Sequence, residues 1–222
     1  MEVRTLSRSR SGLKHAIGQD ELAPVPTPQA MARADEVSVR QFDMEMVEAL
    51  RTVHNDGFGS KLCCLCCPVA DHEGRIRSFY ERYPERLPMC GLAIRSDGVP
   101  LGYVQLAIHP MSDKDGLHTT VPGEAYIEQI SVAAAARGKG VGKLLLQWAE
   151  DRARDHDSTI LTLAVLNGNP ALRLYERFGF QAVQADACDQ CIGSCVVVCM
   201  VGRPYGLCHP HCGVTDMKKP LA

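Results

Sequence analysis

Residues 125–146 read AYIEQISVAAAARGKGVGKLLL, and the order of elements in this stretch decides the fold. Tyr126, Ile130 and Val132 alternate along the segment with β-branched Ile127 between them, the pattern of a central strand. From Val141 the period lengthens. Val141, Leu144, Leu145 and Trp148 follow the i, i+3, i+4, i+7 spacing of one helix face. The turn between them is built from alanine, arginine and glycine. Gly138, Gly140 and Gly142 remove the β-carbons that would hold a ligand away from the backbone. The free N–H groups and positive dipole end of the following helix point into that space, which suits a phosphate or pyrophosphate. Arg137 and Lys139 add positive charge there.

Two common phosphate loops do not match. A Walker A loop needs a glycine where Arg137 stands and a hydroxyl where Leu144 stands. The dinucleotide fingerprint needs G-x-G-x-x-G, whereas the glycines here fall at 138, 140 and 142. What remains is R-G-x-G-x-G between a strand and a helix, with a ligand-free glycine turn as the alternative reading of the hexapeptide alone.

The 222 residues suffice for one well-buried domain with tails. A net charge of -2 gives no global reason to expect nucleic acid or an anionic membrane as partner. No apolar run approaches the ~20 residues of a membrane span. Eleven cysteines, an odd number, exclude a fully paired disulfide framework within one chain. With no apolar signal segment in view, the expectation is reduced thiols and a cytoplasmic protein. Residues 1–36 are Arg- and Ser-rich, then Pro-rich at Ala23–Pro28, and read either as a disordered head or as an organelle-import segment.

A domain over residues 37–203 is expected next. Val37–Phe42 reads as a strand, Asp43 as an N-cap, and Met46, Val47, Leu50 and Val53 as a helix face. A second helix is expected over Arg75–Tyr83, and strands over Cys90–Ile94 and Leu101–Ile108 around the turn Ser96-Asp97-Gly98. Thr159–Val165 has the near-continuous apolar character of a strand buried on both faces, parallel to the first through a right-handed crossover. Asn169 caps the next helix, Pro170 opens it and Gly179 closes it. Phe180–Ala185 and Cys195–Val201 are expected to finish the sheet, leaving residues 204–222 as a Cys/His-rich tail.

The second stretch, NPALRLYERFGF after Asn167-Gly168, combines with the first to resemble the GNAT superfamily of N-acetyltransferases. Ala134 stands where that pattern usually carries a proline, which softens the turn. The resemblance implies an α/β fold with a mixed central sheet, splayed parallel strands and flanking helices. It also implies acetyl-CoA as cosubstrate and a primary amine, of a small molecule or a protein, as acceptor. The pantetheine arm would lie along Ile130, Ser131 and Val132. Arg137, Gly138, Lys139, Gly140, Val141, Gly142 and Lys143 would hold the pyrophosphate, and Asn169 would contact the arm or only cap its helix.

Amine attack needs a proton acceptor, because an alkylammonium titrates near 10. Glu128 is the candidate on the organising strand, with pairing to an arginine as its other reading, and Glu124 is a weaker alternative. Simple alternation puts Glu128 on one face with Tyr126, Ile130 and Val132. The resemblance places Tyr175 near the departing sulfur as general acid. A phenol near 10 donating to a thiolate near 8.5 is uphill by roughly 2 kcal/mol, so hydrogen-bond stabilisation is the safer role.

Cys188, Cys191, Cys208 and Cys212, with His209 and His211, approach a zinc-ribbon spacing, but a strand over Cys195–Val201 sets the pairs apart, and free thiols are expected instead. Cys63–Cys67, CCLCC, reads by default as a buried small-apolar turn, with acylation or a metal contact as the other readings.

Overall fold

The computed structural model describes residues 36–58, 73–111, 118–183 and 214–221. In chain order these form β1 (Val37–Gln41), α1 (Val47–Phe58), α2 (Glu73–Arg82), β2 (Cys90–Arg95), β3 (Pro100–Ile108), β4 (Glu124–Val132), α3 (Val141–Asp155), β5 (Ile160–Leu166), α4 (Leu172–Phe178), β6 (Gln181–Ala182) and β7 (Val214–Pro220). The strands make one seven-stranded sheet ordered β1-β2-β3-β4-β5-β7-β6. Among the described residues β4 and β5 run parallel, and every other neighbouring pair is antiparallel. The mixed α/β fold expected from the sequence is the observed one.

Each face of the sheet carries its own core. On one side α3 packs Val141, Leu145, Leu146, Ala149 and Ala153 against Ala125, Ile127, Leu161 and Leu163. On the other, Val47, Leu50 and Val53 of α1 and Ile76 and Tyr80 of α2 meet Leu92 and Tyr103. Two glycines bring α3 close to the sheet. A β-carbon on Gly91 would stand 2.7 Å from the Trp148 ring, and one on Gly102 would stand 2.9 Å from Leu145 Cδ1. Arg86 sits in a 3₁₀ turn, Pro84–Met89, that leads into β2.

The end of the chain departs from expectation. The strand between β5 and β6 is Val214–Pro220, drawn from the segment expected to be a tail beyond Arg203. Cys195–Val201 lies outside the described residues. The sequence of β7, VTDMKKP, has little apolar content because one of its faces is open: Met217 is buried, while Asp216, Lys218 and Pro220 are exposed. A second tie holds it in place. Lys219 Nζ lies 2.6 Å from Glu150 Oε2 of α3 and 4.1 Å from the centroid of the Phe178 ring.

Because β7 is paired along seven positions of β5, deleting residues 214–222 is expected to abolish cooperative urea unfolding, followed by circular dichroism. A cooperative transition in the truncated protein would place the limit of the folded unit before β7.

Candidate active site

The parallel pairing of β4 and β5 covers only Glu124–Ile127 against Ile160–Leu163. Both strands run on beyond it, each paired on its outer side: β4 with β3 as far as Val132 opposite Gly102, and β5 with β7 as far as Leu166 opposite Val214. Residues 128–132 and 164–166 therefore border a wedge. At its mouth the β3–β4 register shifts. Gln105 opposes Gln129 but Leu106 opposes Ile127, so Glu128 is an inserted residue. Such a bulge bends its strand and increases its twist, which accounts for the parting.

The bulge also corrects the face assignment read from simple alternation. Ala125 and Ile127 lie in the α3-side core, and so do Ile130 and Val132. Gln129 and Ser131 turn to the α1 side, where Tyr103 Oη donates to Gln129 Oε1 at 2.6 Å and Ser131 Oγ donates to Val53 O at 3.4 Å. Glu128 thus does not share a face with Ile130 and Val132. One inserted residue reverses everything downstream of it.

Of the two readings of Glu128, pairing with an arginine is present in the structure. Its Oε2 lies 2.6 Å from Arg86 Nη1, with the Arg86 side chain 1% exposed and that of Glu128 17% exposed. Nothing in the sequence links these two residues across 42 positions, and only the fold brings them together. Glu124 is bound more tightly. Its carboxylate accepts from Thr162 Oγ1 at 2.5 Å, from the Val121 amide at 3.0 Å, and pairs with His118 Nε2 at 2.9 Å. Burial acts to raise its pKa, but the Thr162, Val121 and His118 contacts prevail and hold it below the ordinary carboxylate range. Both oxygens of this carboxylate are thereby already engaged. His118 stacks on Tyr126, ring centroids 4.2 Å apart.

Gly138 and Gly140 have φ of +75° and +85°, and a β-carbon at either would stand in open space. Gly140 is the N-cap of α3 and no side chain caps that end. The start of a fifteen-residue helix, flanked by exposed Arg137, Lys139 and Lys143, fits a diphosphate. Other members of the expected loop have structural duties. The Arg137 amide donates to Ala134 O at 3.3 Å and its Nε to Val132 O at 3.1 Å, so Arg137 braces the turn. Gly142 is small because a β-carbon there would meet Leu174 Cδ2 of α4 at 2.8 Å. Asn169 Oδ1 accepts from the Ala171 amide at 3.0 Å in the turn ahead of α4; the helix starts at Leu172 with Ala171 as its N-cap and no side-chain cap, so Asn169 and Pro170 lie before the cap and first helical positions expected of them. The Tyr175 ring is buried in the α3-side core, edge-on to Phe180 at 6.1 Å.

Cys90 is buried, and burial pushes its thiol up to about 12, so it stays protonated. Cys63–Cys67 and the residues considered for zinc, Cys188 to Cys212, lie outside the described residues. Among the described residues no group of three His, Cys, Asp or Glu could hold a metal ion, and no helix is long and apolar enough to cross a membrane.

Residues 47–180 match the family model described as "Acetyltransferase (GNAT) family". A 55-residue stretch is 47% identical to streptothricin acetyltransferase of Streptomyces lavendulae, covering 24% of this chain and 29% of that protein. Among solved structures, a GCN5-related N-acetyltransferase from Kribbella flavida aligns with TM-score 0.55 and 20% identity over 83% of this chain and 98% of that one. An N-acetyltransferase from Thermoplasma acidophilum, in complex with coenzyme A, aligns with TM-score 0.51 and 17% identity over 83% and 99% of the respective chains. At these identities the two structures speak for the fold.

The Glu124 cluster carries a pH dependence. With a folded pKa below the ordinary glutamate value of 4.5, its contribution to stability is complete above that value and is lost as pH falls through the folded pKa. Glu124→Gln is therefore expected to lower stability at pH 7 and to converge on the wild type in strong acid. Urea midpoints between pH 2 and pH 7 check this; a constant difference would overturn it.

Proposed function

The chain belongs to the acetyltransferase (GNAT) family, that of acyl-CoA-dependent N-acyltransferases, and from that premise we propose that it moves acetyl from acetyl-CoA to a primary amine by direct attack in a ternary complex. The observation that carries this reading is the wedge: parallel pairing that stops at Ile127 and Leu163, beside the open cradle of Gly138 and Gly140. Acetyl-CoA supplies the activated thioester. The edges of Ile130–Val132 line the arm, the backbone from Gly138 to Val141 holds the diphosphate, and Lys139 and Lys143 neutralise its charge.

Glu128 takes the proton from the acceptor ammonium. Its place at the mouth, and the partial exposure of its carboxylate beside a buried arginine, support this role over Glu124, whose oxygens are already engaged. Tyr175 supports the departing sulfur by hydrogen bonding. Direct transfer is favoured because no cysteine falls on either motif. The stretch shared with the streptothricin enzyme favours a small-molecule amine over a protein amine.

A screen of amines monitored by released thiol tests the reaction; acetyl-CoA binding without turnover of any amine would leave a non-catalytic binding module. Arg137→Ala combined with Gly140→Val is expected to weaken CoA binding about tenfold or more, since valine is strained at positive φ and the bracing of the turn is lost. Calorimetry with unchanged affinity would remove the clamp. Glu128→Gln is expected to lower turnover by about a hundredfold while leaving the acetyl-CoA KM near its original value, and retained activity would move the base elsewhere.

A further inference from the structure

We propose that Arg86 is a positioning residue that holds the Glu128 carboxylate ionised and aimed at the mouth of the wedge. This rests on Glu128 being the base.

A guanidinium that is 1% exposed must face a carboxylate to be tolerated. Glu128 meets it at 2.6 Å. The two ends of the pair differ in access, since the arginine is sealed while 17% of the glutamate side chain is exposed. The carboxylate is thus the end that meets an incoming amine. The arginine cannot move freely, because its backbone is pinned as well. Pro84 and Pro88 stiffen the 3₁₀ turn. Gln105 Nε2 donates to Arg86 O at 3.3 Å and to Met89 O at 3.4 Å, and Gln105 Oε1 accepts from Tyr80 Oη at 2.7 Å. Gln105 is also the residue opposite Gln129 where the register shifts. One buried side chain therefore ties the turn bearing Arg86 to the strand position that defines the bulge.

The carboxylate end is fixed from the far side of the bulge. Gln129 takes a hydrogen bond from Tyr103 Oη, and Tyr103 Oη is 2.7 Å from His54 Nδ1 of α1. Among the groups that act electrostatically with Glu128 are Arg86 from the 3₁₀ turn, Tyr80 from α2 and Tyr126 from its own strand. Burial first, then neighbouring acidic groups, keeps both phenols protonated, whereas Arg86 brings a positive charge to the carboxylate.

Carboxyl NMR of the protein without acetyl-CoA tests this directly, with Glu128 assigned by its loss in Glu128→Gln. The Glu128 midpoint is expected below the free glutamate value of about 4.3 in the wild type. It is expected to rise by about one unit or more in Arg86→Gln, and to stay near the wild-type value in Arg86→Lys. In activity, the acid limb of kcat/KM moves up in Arg86→Gln alone, with CoA affinity unchanged. A merely structural arginine would lower activity without moving either midpoint. A wild-type midpoint at or above the free value overturns the proposal even where Arg86→Gln does not fold. An unmoved midpoint with inactive Glu128→Gln refutes the role of Arg86 only. Full activity in Glu128→Gln refutes the base, whatever the midpoints.

Discussion

The architecture depends on one geometric constraint: two parallel strands that begin as partners and separate after four rungs. Neither strand is short of partners elsewhere, since β3 follows β4 to its end and β7 follows β5 to its end. The opening is therefore built and not frayed. The bulge begins one residue beyond the last rung, where extra twist has its largest leverage on the free part of the strand. Helix α3 starts just past the end of β4, so the cradle of Gly138 and Gly140 is delivered to the place where the sheet opens. Close packing through Gly91, Gly102 and Gly142 keeps that helix from backing away.

A bulge placed beside a core normally leaves unsatisfied polar groups, and here they are answered from one side. Gln105 is buried, yet its amide meets three carbonyls, Arg86 O, Met89 O and Leu106 O, and its oxygen meets Tyr80. Burial raises the pKa of the Tyr80 hydroxyl and pushes the Cys90 thiol up to about 12, so both remain neutral. The charge in this region is concentrated in the Arg86–Glu128 pair. A buried ion pair of this kind adds little net stability, and its value lies in fixing where a carboxylate stands.

The sequence made much of this legible and left the rest invisible, for physical reasons. The change of period at Val141 and the glycines at 138 and 140 expose a strand, a turn and a helix, because each is set by local backbone preference. The bulge leaves only a faint mark, the adjacent polar pair Glu128–Gln129 between Ile127 and Ile130, which Tyr126 masks by continuing an apparent alternation with Ile130 and Val132. Strand β7 escapes for a related reason. With one face open, VTDMKKP carries less apolar signal than the cysteine- and valine-rich stretch at 195–201, and its pairing with β5 is non-local. Gly142 and Asn169 each fit two roles in sequence, and the structure shows close packing of Gly142 against Leu174 and a turn bond from the Ala171 amide to Asn169.

The distribution of charge separates the two ends of the wedge. Arg137, Lys139 and Lys143 gather at the start of α3, whereas Glu124, Glu128 and Asp216 gather around Tyr126. Burial, then Asp216, Glu128 and Glu124, pushes the Tyr126 hydroxyl up to about 12. A proton held that firmly is some 3.5 units, or roughly 5 kcal/mol, from reaching a thiolate of ordinary basicity near 8.5. Burial first, and those carboxylates after it, keep the Tyr126 hydroxyl protonated at neutral pH. Under the proposed reading, the acceptor is drawn to the carboxylates around Tyr126, and the sulfur leaves beside Tyr175. Tyr175 lies on the other side of the sheet, in the core packed against α3.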